Sequence, residues 1–205
     1  MEYLLSLLIG YLLGSFPTAY LLLKKVSKLD IRTQGSGNVG AMNTFEVSKS
    51  KTMGVLVLLI DALKGLLSVY ISLLVFPLNF IFPAIALLFA VLSHCFNPWL
   101  KLKGGRGLAT SAGGAALLFP PMLIIWLATW FISYIIKKNI IFSNVFASLS
   151  TIIILYITIE TVINYSFPKA ESIASLLLFS TGLMIIIFVK HVDPFMELFN
   201  KKTIK

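Results

Sequence analysis

A single cysteine, Cys95, and two histidines, His94 and His191, are all the soft-ligand chemistry this chain of 205 residues carries. One thiol forms no internal disulfide, and one Cys with two His makes no zinc or other soft-metal cluster. Redox and zinc chemistry are set aside. Charge is scarce as well. Only 12% of residues are charged, against about 25% in soluble domains, while 58% are hydrophobic. With a mean hydropathy of +0.95, such a chain belongs in a bilayer. Acid is scarcer than base, 8 residues to 17, leaving a net charge of +9. That surplus does not point to nucleic acid, because the cations lie between apolar runs and not on one polar face. Anionic lipid or a phosphorylated substrate is the expected partner, and no obligate protein partner is evident. Internal repeats, low-complexity linkers and a soluble segment are also missing, so residues 1–205 read as one membrane domain.

A bilayer crossing takes about 20 apolar residues, and residues 3–23, 53–75, 83–100, 146–165 and 172–189 each fit. The first opens on Met1-Glu2, without a basic leader or a cleavage pattern, and is expected to be retained as a helix. Residues 108–136 are long for one span and short for two. Read as one helix, they give six spans and put the basic loop 24–51 and the C-terminal tail on opposite faces. If Pro120-Pro121 turns the chain, residues 108–119 make a short outward helix and 122–136 return. The second arrangement places Lys24 to Lys51, Lys101 to Arg106, Lys137, Lys138, Lys190, Lys201, Lys202 and Lys205 on one side, which the positive-inside rule makes cytoplasmic. The expected fold is therefore all-α and polytopic, with seven transmembrane helices, the N-terminus outside and the C-terminus cytoplasmic. At about 1.5 Å per residue the short helix rises only about 18 Å, and its small residues, LATSAGGAALLF, suit burial among its neighbours.

Two cytoplasmic loops carry the candidate chemistry. The first, Asp30-Ile31-Arg32-Thr33-Gln34-Gly35-Ser36-Gly37-Asn38-Val39-Gly40-Ala41-Met42-Asn43, interleaves three glycines with Ser36 and Asn38. Glycines so placed let backbone N–H groups converge on an anion, although a flexible interhelical loop has the same composition. It is not a Walker A loop, since the GK[ST] ending is absent. The second, from His94 to Thr110, sets Lys101, Lys103 and Arg106 beside Gly104, Gly105 and Gly107 at the start of the short helix. Cations at a helix N-terminus make a phosphate site, and positive-inside anchoring explains the lysines but not GGRG. Asp61 and Lys64 share one helix face inside an apolar span, either as functional intramembrane charges or as an ordering ion pair. Glu160 lies near the outer end of its span. His191 falls just past the last span, as a base, a phosphate donor or a solvated interfacial residue. An aspartate five places after either histidine, the base arrangement of many acyl-CoA acyltransferases, is missing, as are a serine nucleophile elbow and HExxH.

At these residues the sequence resembles the PlsY family, the bacterial acyl-phosphate:glycerol-3-phosphate acyltransferases. GSFPTAYLL, DIRTQGSGNVGAMN, LLIDALKG and HCFNPWLKLKGGRGLAT carry the likeness in order along nearly the whole chain. The resemblance implies a seven-helix enzyme of the bacterial cell (inner) membrane, with its site facing the cytoplasm. It implies acyl transfer from acyl phosphate to the 1-hydroxyl of glycerol-3-phosphate in phospholipid biosynthesis, without CoA or metal. Ser36, Asn38 and Asn43 would line the reaction centre, and Gly35, Gly37 and Gly40 would be backbone donors. Gly104, Gly105, Gly107, Lys103 and Arg106 would hold phosphate, His191 would match the third motif, and Arg32, Lys64, His94 and Thr110 would complete the binding set. Either His191 or a substrate phosphate would take the hydroxyl proton. Departures are specific: Glu46 replaces an arginine, Arg106 a lysine and Asn97 a proline, and the third motif reads His191-Val192-Asp193-Pro194-Phe195-Met196-Glu197-Leu198 where HRxNIxRL is usual. They motivate an alternative, a paralogue with another polyol-phosphate acceptor or no activity. A transporter for a phosphorylated anion is a further alternative from a different class.

Overall fold

The computed structural model describes residues 1–200, with side chains through Leu198; the expected cytoplasmic cations Lys201, Lys202 and Lys205 lie outside the described residues. It is all-helical: α1 (Glu2–Gly14), α2 (Thr18–Val26), α3 (Ala41–Ser48), α4 (Lys51–Val75), α5 (Ile81–Cys95), α6 (Leu108–Leu118), α7 (Pro120–Lys137), α8 (Ile140–Val162) and α9 (Ile173–Asn200). Six stretches among the described residues are long and apolar enough to cross a bilayer, α1 and α2 together counting as one, and α6 is a shorter apolar helix.

Proline places two of the breaks. Pro17 lacks an N–H and cannot continue the hydrogen-bond ladder of α1, so the stretch read from sequence as a single span is interrupted at Ser15-Phe16-Pro17. Pro120 and Pro121 occupy the first turn of α7, where the missing N–H costs nothing, and Phe119 (φ −151°, ψ 76°) makes the corner after α6. The turn expected at Pro120-Pro121 is therefore present, and the carbonyl of Leu118, the last residue of α6, accepts from Phe167 N at 2.8 Å. Phe167 lies in the connection from α8 to α9, so α6 reaches from the second glycine loop to that connection.

Small residues set the closest helix contacts. Gly10 and Gly14 of α1 lie against the Ala86 and Ala90 backbone of α5, while Gly65 of α4 and Gly113 of α6 lie against the carbonyls of Thr110 and Ala62. A methyl group at any of these positions would meet backbone, which does not yield. Helix α5 is central, with 61% of its span buried, and α7 is peripheral, with 11%. Leu87, Val91, Phe119, Met122, Leu183 and Ile187 anchor the apolar core among α5, α6, α7 and α9. At one end of the bundle Ile81 N donates to Glu171 Oε1 at 3.2 Å. The residues between α2 and α4, those between α5 and α6, and the end of α9 gather at the other.

Candidate functional site

The first loop is organised by its own polar side chains. Asp30 accepts from Arg32 N (3.0 Å) and thereby caps the 3₁₀ turn Ile31–Thr33, while the Arg32 guanidinium returns to the same carboxylate at 2.6 Å. The hydrogen bond from Arg32 holds the Asp30 carboxyl down to about 2. Arg32 also lies 5.0 Å from the Tyr20 ring centroid, so the cation expected to bind phosphate is engaged within its own loop. Asn43, in α3, turns inward. Its Oδ1 accepts from Ser36 N at 3.0 Å, and its Nδ2 donates to the carbonyls of Asn38 (3.0 Å), Gln34 (3.1 Å) and Ile31 (3.4 Å). A fully engaged amide fixes the loop. Gly35 and Gly37 take left-handed φ of +57° and +69°, and the turn between them leaves Ser36 exposed. Gly37 N–H, expected as an anion donor, instead donates to Gln34 O at 3.0 Å. Gly40 is the N-cap of α3, with Asn38 Nδ2 beside it.

In the second loop Asn97 does more than replace a proline. Its Oδ1 accepts from Trp99 N at 3.1 Å, and its Nδ2 donates to the Ser15 carbonyl at the end of the neighbouring α1 at 2.7 Å, satisfying a group exposed by the break in the first span. Lys101 and Leu102 carry the chain back through φ of +55° and +62°. Gly105 N then donates to the His94 carbonyl at 3.1 Å. A side chain at Gly105 would collide with the His94 ring and with the Val39 carbonyl. The two glycine loops, more than fifty residues apart in sequence, therefore meet at Gly105. Gly104 packs on the His94 carbonyl, and Gly107 (φ +82°) caps α6, whose first N–H groups are the anion-favouring end of that helix. Lys103 is exposed and Arg106 half-buried. Burial pushes the Arg106 pKa down, and the carboxylates of Glu197 and Glu46 draw it back up. Thr110 is wholly buried one turn into α6, where its backbone packs on Gly65, away from the loop surface.

Beneath the loops lies a buried polar cluster. Asp61 Oδ1 receives Lys64 Nζ at 2.9 Å and the Thr18 hydroxyl at 3.0 Å, and His94 Nδ1 stands 3.9 Å away. Lys64 Nζ also donates to the Phe16 carbonyl at 2.9 Å. Of the two sequence readings, this is the ordering ion pair. Lys64 neutralises Asp61 and satisfies the broken helix.

His191 corrects an expectation. It does not follow the last helix at a solvated interface but lies inside α9, fully buried. Its Nε2 lies 3.1 Å from Asn144 Nδ2 and its Nδ1 2.8 Å from the Ile187 carbonyl. Asn144, like Trp130 beside it, was not singled out from the sequence; a polar residue inside an apolar span was the available signal.

The family described as Glycerol-3-phosphate acyltransferase matches residues 4–201. A glycerol-3-phosphate acyltransferase of Bartonella henselae is 38% identical over 190 residues, covering 91% of this chain and 83% of that protein. One from Campylobacter lari is 34% identical over 212 residues, covering 100% and 99%. The crystal structure of PlsY (YgiH), an integral membrane glycerol 3-phosphate acyltransferase in its glycerol 3-phosphate form, aligns with a TM-score of 0.80 at 25% identity over 98% of this chain and 94% of that one. Its lysophosphatidic acid form shares the fold at a TM-score of 0.78 and 24% identity, over 98% and 93%.

Proposed function

The chain belongs to the glycerol-3-phosphate acyltransferase family, and from that premise we propose that it transfers an acyl group from an acyl phosphate to the 1-hydroxyl of glycerol-3-phosphate. The products are 1-acyl-glycerol-3-phosphate and inorganic phosphate. The protein is a multi-pass membrane acyltransferase. In the proposal it is one domain crossing the bacterial inner membrane seven times, with its N-terminus outside and both glycine loops in the cytoplasm. The hydrogen bond from Phe167 to Leu118 supports α6 as the extra crossing, because it ties the far end of α6 to the opposite side of the bundle.

The contact of the two loops at Val39, Gly105 and His94 carries the reading. An acyl phosphate is an activated mixed anhydride, so the hydroxyl oxygen attacks the acyl carbon directly and the carbon–oxygen bond to phosphate breaks, without a covalent enzyme intermediate. Two phosphates and a developing oxyanion then need stabilising by fixed N–H groups and cations. The start of α6, with Gly104, Gly105, Gly107, Lys103 and Arg106, supplies the phosphate side, and Ser36 and Asn38 face the reacting carbonyl. Asn43 positions that loop. His191, with both ring nitrogens engaged, is not free to act as base, so the hydroxyl proton passes to a substrate phosphate oxygen. Proximity of two bound reactants supplies much of the rate.

The test is purified protein in lipid nanodiscs with palmitoyl phosphate and glycerol-3-phosphate, following lysophosphatidate, with palmitoyl-CoA as the control donor. Product from palmitoyl phosphate alone, abolished by Ser36→Ala, is expected; no product rejects the reading. A second reading keeps the chemistry and changes the acceptor. It is favoured by Glu46 and Glu197, whose carboxylates both act on Arg106. A panel of polyol phosphates offered in competition separates the two.

A further inference from the structure

Three helices outside the glycine loops are joined by one hydrogen-bond chain. Trp130 Nε1 in α7 donates to Asn144 Oδ1 in α8 at 2.7 Å, Asn144 Nδ2 faces His191 Nε2 at 3.1 Å, and His191 Nδ1 faces the Ile187 carbonyl at 2.8 Å. Donor and acceptor chemistry fixes every proton in it. An indole N–H only donates, so the amide oxygen of Asn144 faces Trp130 and its NH₂ faces His191. An NH₂ group also only donates, so Nε2 presents a lone pair; a carbonyl only accepts, so Nδ1 carries the ring proton. His191 is a neutral imidazole in the Nδ1–H tautomer.

We propose that Trp130 and Asn144 are positioning residues of the transfer site, which lock this tautomer and so fix the rotation of α9 against the second glycine loop. A ring held at both nitrogens cannot turn without breaking a bond at each end. The adjacent residue, Lys190, lies 4.9 Å from the Phe96 ring centroid, at the exit of α5. One turn earlier, Ile187 lies against Gly107, the cap of α6. Rotating α9 about its axis would therefore move the groups that wall the start of α6. Helix α7 has little buried surface of its own to hold it, and a second rung, Trp126 Nε1 to Ser148 Oγ at 3.3 Å, sets its register against α8. The two rungs run in opposite order along the two helices, as an antiparallel pair requires.

The inference rests on the acyl-transfer reading only for its rate measurement. Full-length protein labelled with ¹⁵N-histidine is placed in lipid nanodiscs, with His191 signals assigned through His191→Gln. The expected result at neutral pH is one protonated ring nitrogen, Nδ1, and one lone-pair nitrogen, Nε2. Asn144→Asp preserves size and the Trp130 bond but offers Nε2 an acceptor while the Ile187 carbonyl still holds the proton on Nδ1, so it is expected to protonate both ring nitrogens, an imidazolium paired with the new carboxylate, and to lower kcat about tenfold with little change in KM. Trp130→Phe, which removes the donor that orients the Asn144 amide, is expected to leave the proton on Nδ1, loosen the bond at Nε2 and give a smaller loss of kcat, and serves if the aspartate variant does not fold. Wild-type His191 found as an imidazolium or as the Nε2–H form overturns the proposal, as does full rate in both variants. Wild-type protein with the Nδ1–H tautomer but no acyl transfer rejects the reaction and leaves the lock supported.

Discussion

Replacing Asn43 by alanine isolates what the first loop owes to one buried amide. Three of its hydrogen bonds are of ordinary length, at 3.0, 3.0 and 3.1 Å, and the fourth is long at 3.4 Å. At about 1 kcal/mol net for each ordinary bond, the loop loses about 3 kcal/mol, and with ~1.4 kcal/mol per factor of ten its ordered population falls up to about 100-fold. Substrate binding draws the loop back into order, so kcat/KM is expected to fall by about that factor and kcat by less. The same energy lost globally would lower Tm by about 6–12 °C, so a purely local effect predicts a smaller shift. The assay is steady-state acyl transfer with varied glycerol-3-phosphate beside a thermal melt in the same detergent. Asn43→Asp sharpens it, because Oδ1 still accepts from Ser36 N while the second oxygen faces three carbonyls; a loss at least as large as alanine's is expected. A kcat/KM within about threefold of wild type for Asn43→Ala would refute the reasoning, since three bonds of ordinary strength would then order nothing that catalysis uses.

Gly105→Ala places a methyl against the His94 ring and the Val39 carbonyl, and activity should fall sharply while the melt of the span helices changes little; an active alanine variant would mean that the two loops need not touch. Asp61→Asn or Lys64→Met alone leaves a buried group without its partner and is expected to cost about 3–5 kcal/mol, whereas the double variant should recover part of that in a thermal-stability cycle. For Asp30, whose folded pKa of about 2 lies below the ordinary aspartate range, the sign is that of a depressed carboxylate: the stabilisation is present above the unfolded pKa and is lost as pH falls toward 2. The Tm difference between wild type and Asp30→Asn should therefore hold constant above pH about 4 and shrink below it. Glu46→Gln and Glu197→Gln each remove a carboxylate acting on Arg106, and each should lower the KM for glycerol-3-phosphate, with kcat little changed.

The spans were legible because a membrane helix is a local property, a run of apolar residues long enough for the bilayer. The corner at Pro120-Pro121 was legible for a similar reason, since two prolines suit only the first turn of a helix. The break at Pro17 was not. Its cost depends on who satisfies the freed carbonyls, and those partners, Lys64 and Asn97, lie 48 and 82 residues away. Helix α3 passed as loop because AMNTFEVS mixes Asn, Thr and Val into eight residues, giving little helical preference to read. His191 was placed one helix end too early for the same reason as Pro17 was passed over. Hydropathy fades near residue 189, but α9 continues because Asn144, 47 residues earlier, supplies a partner for a buried imidazole.

That the two glycine loops share one end of the bundle was legible, while the direction each polar side chain faces was not. Asn43, Asn97, Asn144 and the Asp61–Lys64 pair all turn inward, to backbone, to one another or, for Asn144, to the side chains of His191 and Trp130. Motif reading assigns a conspicuous polar residue to the substrate, yet a loop without secondary structure must first satisfy its own carbonyls and N–H groups. In the proposed function, what remains for a ligand is the exposed Ser36, the partly exposed Asn38, the first turn of α6 and the cations Lys103 and Arg106. On the proposed reaction this division is sufficient, because an activated donor asks for charge stabilisation and alignment and not for a nucleophile or a poised base. It also locates the departures from the family pattern. Glu46 is exposed, belongs to none of the inward-facing clusters and acts on Arg106 through charge. Its effect therefore falls on which phosphate binds and how tightly, while the framework that brings the two loops together stays as it is.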